Sequence, residues 1–272
     1  MLSLLGAADA ALTTARPGFQ VPPTNELFDL PCIVNLHLGS LNLCINKSVI
    51  LEFAAAFLAG LFFIVAFRKP KVVPKGTQNV MEAIYDFIAR DVVEGVIGSK
   101  GTMWQPYLTI LFTFAFCVSI FEVVPLVQFP VSSRMAIPAM LAGASWLIYN
   151  YAGVREKGFF GYFGSIMFPP GVPKGAYVLL TPIEFISALV IRPFTLAIRL
   201  FANFFAGHLL LVVFFLGTAY LVGRPLTIPF ALGSLALSVL LVGLEIFIAA
   251  VQAYVFSILT AVYISLAVSH EH

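Results

Sequence analysis

Between Pro182 and Gly217 the chain runs through PIEFISALVIRPFTLAIRLFANFFAGHLLLVVFFLG, in which Glu184, Arg192 and Arg199 are the charged side chains. A second apolar run, from Thr227 to Val268, carries the single charge Glu245. As helices these runs of roughly 36 and 41 residues reach about 54 and 62 Å, whereas a bilayer's hydrocarbon core is ~30 Å thick. Each helix must therefore break and re-enter, or lie at a tilt far beyond the usual ~20°. Pro193 offers a kink in the first, because its ring removes a hydrogen bond to Leu189. No strong breaker follows Gly233 and Gly243 in the second. Steep tilt is the reading that suits both, with a short loop at Gly223, Arg224 and Pro225 joining them into a nearly horizontal hairpin. Such a hairpin makes sense when it presents one long side to a large partner.

Composition agrees. The chain has 272 residues, 60% of them apolar and 10% charged, with a net charge of +2. Soluble domains carry roughly 25% charged residues, so the class is a polytopic membrane protein. No basic run interleaved with aromatics points to nucleic acid. Residues 1–47 lack the basic start of a signal peptide and read as a retained segment outside the membrane. Within it, CIVNLHLGSLNLCIN alternates around Gly39 and Ser40, which suits a β-hairpin with Leu38 opposite Leu41 and Leu36 opposite Leu43. That register turns Cys32 and Cys44 to opposite faces and argues against a disulfide. Cys117 lies in a hydrophobic span and reads as a packing residue; the cysteines show no metal spacing.

The expected fold is all-α, with five membrane-embedded helices in a single domain over 48–272. The first covers Ser48–Phe67, the second Trp104–Val127 and the third Ala136–Tyr151; the two long runs complete the set. Arg68, Lys69, Lys71 and Lys75 follow the first span, and Arg155, Lys157 and Lys174 follow the third. The positive-inside rule then puts these loops in the cytoplasm, the N-terminus outside and the C-terminus inside. Between the first two spans, Val80, Ile84, Ile88, Val92 and Val96 recur at four-residue steps, opposite Glu82, Asp86, Arg90 and Glu94. This is an amphipathic helix, lying along the interface or packed on another subunit.

Polar residues in the long helices carry the functional signal. A guanidinium near the bilayer centre costs between ~3 and over ~10 kcal/mol, and arginine cannot shed its proton to escape. Arg199 must then face a watery crevice or a buried anion. Asn203 shares its face, while His208, nine residues on, points the opposite way. On the last helix Ser238, Glu245, Gln252 and Tyr263 recur at steps of seven and eleven, which return to within ~20° of one another. Glu184 and Ser187 lie at the start of the first long helix, and Glu122 near the end of the second span. Singly, these are hydrogen-bonding glue between helices, a packed imidazole or an interfacial carboxylate. Together they combine proton-exchanging groups with a fixed cation, the parts of a proton relay.

RPFTLAIRLFANFFAGH followed by LEIFIAAVQAYVFSILTAVYISLA resembles subunit a of the rotary F-type ATP synthase. The resemblance implies a stationary, non-catalytic proton channel beside a rotating ring of c-subunits, tied to peripheral stalk b/delta-type subunits in a bacterial plasma membrane. It makes Arg199 the family's essential arginine. It assigns His208, Glu245 and Glu122 to an outer half-channel, and Glu184, Ser187 and Tyr263 to a cytoplasmic one, with Asn203 and Gln252 beside them. Some members carry the acid and the imidazole in the opposite order. Arg192 is the alternative for the key cation. No cofactor or metal is implied, and no glycine-rich loop for ATP is present. The rival reading, a secondary transporter or antiporter-like subunit, lacks the two equal inverted repeats that class favours.

Overall fold

The computed structural model describes residues 34–38, 41–45, 47–123, 135–168, 177–222 and 227–269. Two short strands, β1 (Val34–Leu38) and β2 (Leu41–Ile45), pair antiparallel with Leu38 opposite Leu41, Leu36 opposite Leu43 and Cys44 opposite Asn35. Cys32 and the turn at Gly39 and Ser40 lie outside the described residues, so the disulfide question stays with the sequence. The remainder is helical: α1 (Lys47–Phe67), α2 (Thr77–Phe87), α3 (Gln105–Val123), α4 (Ala136–Lys157), α5 (Phe159–Met167), α6 (Tyr177–Ile186), α7 (Arg192–Val222) and α8 (Ile228–Val268). By length and composition, three segments suffice to cross a membrane: Val49–Phe67, Tyr177–Val222 and Ile228–Val268. The protein is a polytopic membrane protein.

Two expectations need correction. The helix at 77–97 is not uniform. After Phe87 it widens into π-helical turns over Ile88–Ile97 and ends at Gly98, whose φ of 81° is open to glycine without strain. Met81 is buried before the widening and Ile88, Val92 and Val93 within it, while Val80 is 51% exposed. The third span does not stop at Tyr151. It continues to Lys157, where Gly158 turns the chain into α5, a helix the pattern did not separate. The fourth run continues past Pro193 without a break, as the sequence reading favours. A π-helical segment, Ser187–Ile191, joins α6 to α7 and carries the helix past the proline. Its extra residue per turn takes the bulk that would otherwise strike the carbonyl one α-turn back.

The chain divides into two compact units: residues 1–58, 116–134 and 201–251 in one, and residues 59–115, 135–200 and 252–272 in the other. In the first, α7 and α8 meet at small side chains, with Gly217 and Thr218 against Ser234, and Ala231, Ser238 and Ala249 of α8 are buried. Small residues let helix backbones approach, which replaces the hydrophobic drive that lipid cannot supply. Thr218 Oγ donates to Ser234 Oγ at 2.9 Å, and Ser234 Oγ donates to the Phe214 carbonyl at 3.1 Å, tying α7 to α8.

The second unit has the denser core, with Met81, Ile88, Leu108, Tyr149, Leu196, Phe256 and Ile264 all but inaccessible. Phe87 packs against Phe112 and Tyr254, at ring separations of 6.1 and 5.5 Å. Ser265 of α8 donates to the Val96 carbonyl at 3.0 Å, so the π-helical turns after α2 are held by the chain's own last helix. Gly153 is a close approach: a Cβ there would run into the Tyr162 ring.

Candidate functional site

Glu245 is the centre of the polar group in the first unit. It is buried, and neither carboxylate oxygen takes a hydrogen bond. Buried polar groups are otherwise paired, so each exception asks for a reason. Removing an ionised carboxylate from water costs several kcal/mol unless donors replace that water. The seat is built by Gly207 of α7: a Cβ on that residue would stand 2.9 Å from Glu245 Oε1. Next to Gly207 in the chain, His208 is buried as well. The structure therefore brings the carboxylate of α8 to the Gly207–His208 step of α7. Ser238, two turns before Glu245, is fully buried and donates to the Ser234 carbonyl at 2.8 Å.

The helical phase places the other members of α7. Arg199 and Asn203 are exposed, whereas His208 is buried, as a half-turn offset requires. Glu122 falls in the last turn of α3, and its side chain lies outside the described ones. Glu52 of α1, not singled out from the sequence, has a buried carboxylate oxygen without a hydrogen bond. Its position one turn inside an apolar helix was the available signal.

In the second unit Gln252 is buried, and Glu184, Ser187 and Tyr263 are half-buried. Tyr263 stands between two partners. The Arg192 guanidinium lies 5.6 Å from its ring centroid, a cation–π contact, and the Tyr149 ring lies 5.5 Å away at 60°. Arg192 is thus occupied as an aromatic neighbour, and Arg199 is the exposed cation of the segment.

Tyr149 OH donates to the Ala188 carbonyl in the π-helical segment at 2.8 Å. Tyr162 OH donates to Asn150 Oδ1 at 3.1 Å, and Asn150 Nδ2 donates to the Trp146 carbonyl at 2.7 Å. Burial pushes the Tyr162 phenol, in α5 outside the long apolar helices, above its ordinary range, and Arg192 works against that shift. The tyrosines of α4 and α5 were missed from the sequence because Tyr149 lies in a span whose apolar character reads as packing and Tyr162 in a stretch read as a cytoplasmic loop. Among the described residues, no three His, Cys, Asp or Glu side chains come together as a metal site.

Long apolar helices that carry an arginine, an imidazole and a carboxylate within them place the chain among polytopic membrane proteins with polar groups in their apolar segments. The family model described as the ATP synthase A chain matches residues 49–265. A chain of Frankia alni named ATP synthase subunit a is 45% identical over 262 residues, covering 95% of this chain and 89% of that one. Relatives of the same name from Nocardioides sp. and Rhodococcus erythropolis are 40% and 35% identical, covering 98% and 96% of this chain and 99% and 94% of their own. This chain belongs to the ATP synthase subunit a family.

Proposed function

We propose that this chain is the stationary proton-channel subunit of a bacterial F-type ATP synthase and performs no catalysis itself. The observation that carries the reading is Arg199: a permanent cation, exposed on one face of an uninterrupted helical segment of 46 residues, Tyr177–Val222. A proton from outside passes the His208, Glu245 and Glu122 region and neutralises a carboxylate on a rotating ring of c-subunits. A neutral site can travel through lipid, where an ionised one would cost far more. On its return the carboxylate discharges beside Arg199 toward Glu184, Ser187 and Tyr263, with Asn203 and Gln252 lining the approach. Two unit charges 4 Å apart at an effective dielectric of 20 attract by ~4 kcal/mol, which favours the ionised carboxylate at that point. Because Arg199 keeps its charge, it also separates the two half-channels. Each proton crossing 100 mV delivers ~2.3 kcal/mol, so several are needed for each ATP.

The finer architecture belongs to the same reading. The chain crosses or enters the bilayer with five helices, and α7 and α8 lie steeply tilted along the ring. The first 47 residues, with the β1–β2 hairpin, lie outside, and 48–272 form the membrane domain. Basic loops face the cytoplasm, the C-terminus is inside, and peripheral stalk b/delta-type subunits hold the chain still. Against an antiporter-like subunit stand the absence of equal repeats in the sequence and the family match over 49–265.

Inverted membrane vesicles carrying Arg199→Ala test the reading, with chain levels checked by blot. Loss of ATP-driven acidification in a normally assembled complex is expected, together with an added passive proton leak. Normal acidification overturns it.

A further inference from the structure

We propose that Tyr149 is a positioning residue whose hydroxyl replaces the backbone donor that Pro193 lacks, and so holds the phase of the helix that carries Arg199. The inference rests on the proton-channel reading for what Arg199 does, but its geometry is independent of that reading.

In the π-helical segment the N–H of Arg192 bonds to the Ser187 carbonyl, five residues back. The same register aims the next residue at the Ala188 carbonyl. That residue is Pro193, which has no N–H. A buried carbonyl left without a donor is costly, and nearly all such groups find a partner. Here the partner comes from another helix: Tyr149 OH of α4 reaches the Ala188 oxygen at 2.8 Å, with Tyr149 1% and Ala188 1% exposed. The Tyr149 ring is itself held against Tyr263 at 5.5 Å, and Arg192, beside the proline, sits 5.6 Å over the Tyr263 ring. The widened turn is thus clasped by its free carbonyl and by the first charged residue after it.

The consequence is rotational. A π-helical turn holds one more residue than an α-helical one. Relaxing it to α-helix would rotate the downstream helix by about 100° and shift it by about 1.5 Å relative to the upstream one. Glu184 and Ser187 stand before the latched carbonyl or at the turn's start, and Arg199 stands two α-turns after Arg192. The latch therefore decides which way Arg199 faces relative to the acidic end of its own helix. Tyr149 is not a group on the proton's route; it acts through the backbone at Ala188.

The proline makes the test specific. Tyr149→Phe removes the hydroxyl and keeps the ring, whereas Pro193→Ala returns an N–H to the register that faces Ala188. Inverted vesicles with the whole complex are compared for chain level, ATP hydrolysis and ATP-driven acidification. The set is wild type, Tyr149→Phe, Pro193→Ala, the double variant, Tyr162→Phe and Arg199→Ala. Tyr149→Phe is expected to lower protons moved per ATP hydrolysed about fivefold, the ratio shifted by one ordinary hydrogen bond. The double variant is expected to return to within about twofold of Pro193→Ala alone, since the two changes share one carbonyl and do not act independently. Tyr162→Phe, which removes a neighbouring hydroxyl that binds Asn150, is expected to stay near wild type.

Independent losses in the double variant overturn the inference. So does wild-type coupling in Tyr149→Phe while Arg199→Ala is uncoupled. If Tyr149→Phe fails to assemble, recovery in the double variant supports the latch and failure in both overturns it. Normal coupling in Arg199→Ala instead overturns the proton-channel reading on which the role of Arg199 depends.

Discussion

The surroundings of Tyr149, in one compact unit, and of Glu245, in the other, treat their polar groups differently, although Trp146 Nε1 beside the first is also buried without a hydrogen bond. Around Tyr149 the polar groups and rings engage one another in a chain: hydroxyl to Ala188 carbonyl, ring to Tyr263, Tyr162 to Asn150, Asn150 to Trp146. Around Glu245 the carboxylate is buried and takes no hydrogen bond at either oxygen, with Gly207 kept bare to admit it. A satisfied network fixes a shape; an unsatisfied carboxyl group at membrane depth is poised to exchange with whatever arrives. On the proposed function the difference separates side chains that hold the helices from one that would handle the proton, and it can be tested by changing each kind in turn.

The largest effect is expected at the unsatisfied group. Glu245→Gln keeps the volume but cannot ionise, and should cut ATP-driven acidification about a hundredfold, the scale of a lost proton-transfer group. Chain levels on a blot should not change. Near-normal pumping would make Glu245 a packing residue and erase the contrast. Next comes the satisfied region, where the expected defect is in assembly. Gly153→Ala drives a methyl into the Tyr162 ring, and overpacking of this kind costs ~1–3 kcal/mol. A lower amount of chain in the membrane, with normal coupling in the chain that remains, is the outcome that fits.

A smaller change sharpens the comparison from within the first unit. In Gly207→Ala the added Cβ meets the mobile end of Glu245, 2.9 Å away, and not a backbone. The carboxylate can move aside, so assembly should hold while acidification falls severalfold, about the tenfold that 1.4 kcal/mol represents at most. An assembly defect without a transport defect would show that Gly207 serves helix packing alone. The smallest effect is expected for Thr218→Val, which removes the 2.9 Å bond to Ser234. Interhelical bonds of this kind are worth ~0.6 kcal/mol on average, so thermal stability should drop slightly and pumping should not.

Periodicity sets the limit on how much of this is legible in the sequence. Spacing along one helix places residues about that helix's own axis. It therefore separated the exposed Arg199 and Asn203 from the buried His208, and it put Ser238, Glu245 and Gln252 on one buried stripe. The same counting failed at Val80, because four-residue steps drift by about 40° each on an α-helix and Met81, seven before Ile88, takes the buried face, and at Val93, which lies where the helix has widened after Ile88. Glu52 and Gly207 were not assigned a role for another reason. One is the lone acidic residue of an apolar span, and the other matters only through a carboxylate on a different helix.

Hydropathy alone determined that this is a polytopic membrane protein, because runs of that length and polarity have no stable home in water. Residue identity and spacing alone singled out Arg199, His208 and Glu245, because a charge in an apolar run is costly wherever the helix is placed. Only the tertiary structure decided that Arg192 is covered by Tyr263, that Glu245 rests against Gly207, and that Tyr149 completes the turn Pro193 leaves open. Those facts depend on which helices touch and at what height. The carbonyl that Pro193 leaves without a backbone donor is met here by a hydroxyl from another helix, and no pattern within one segment reveals that donor.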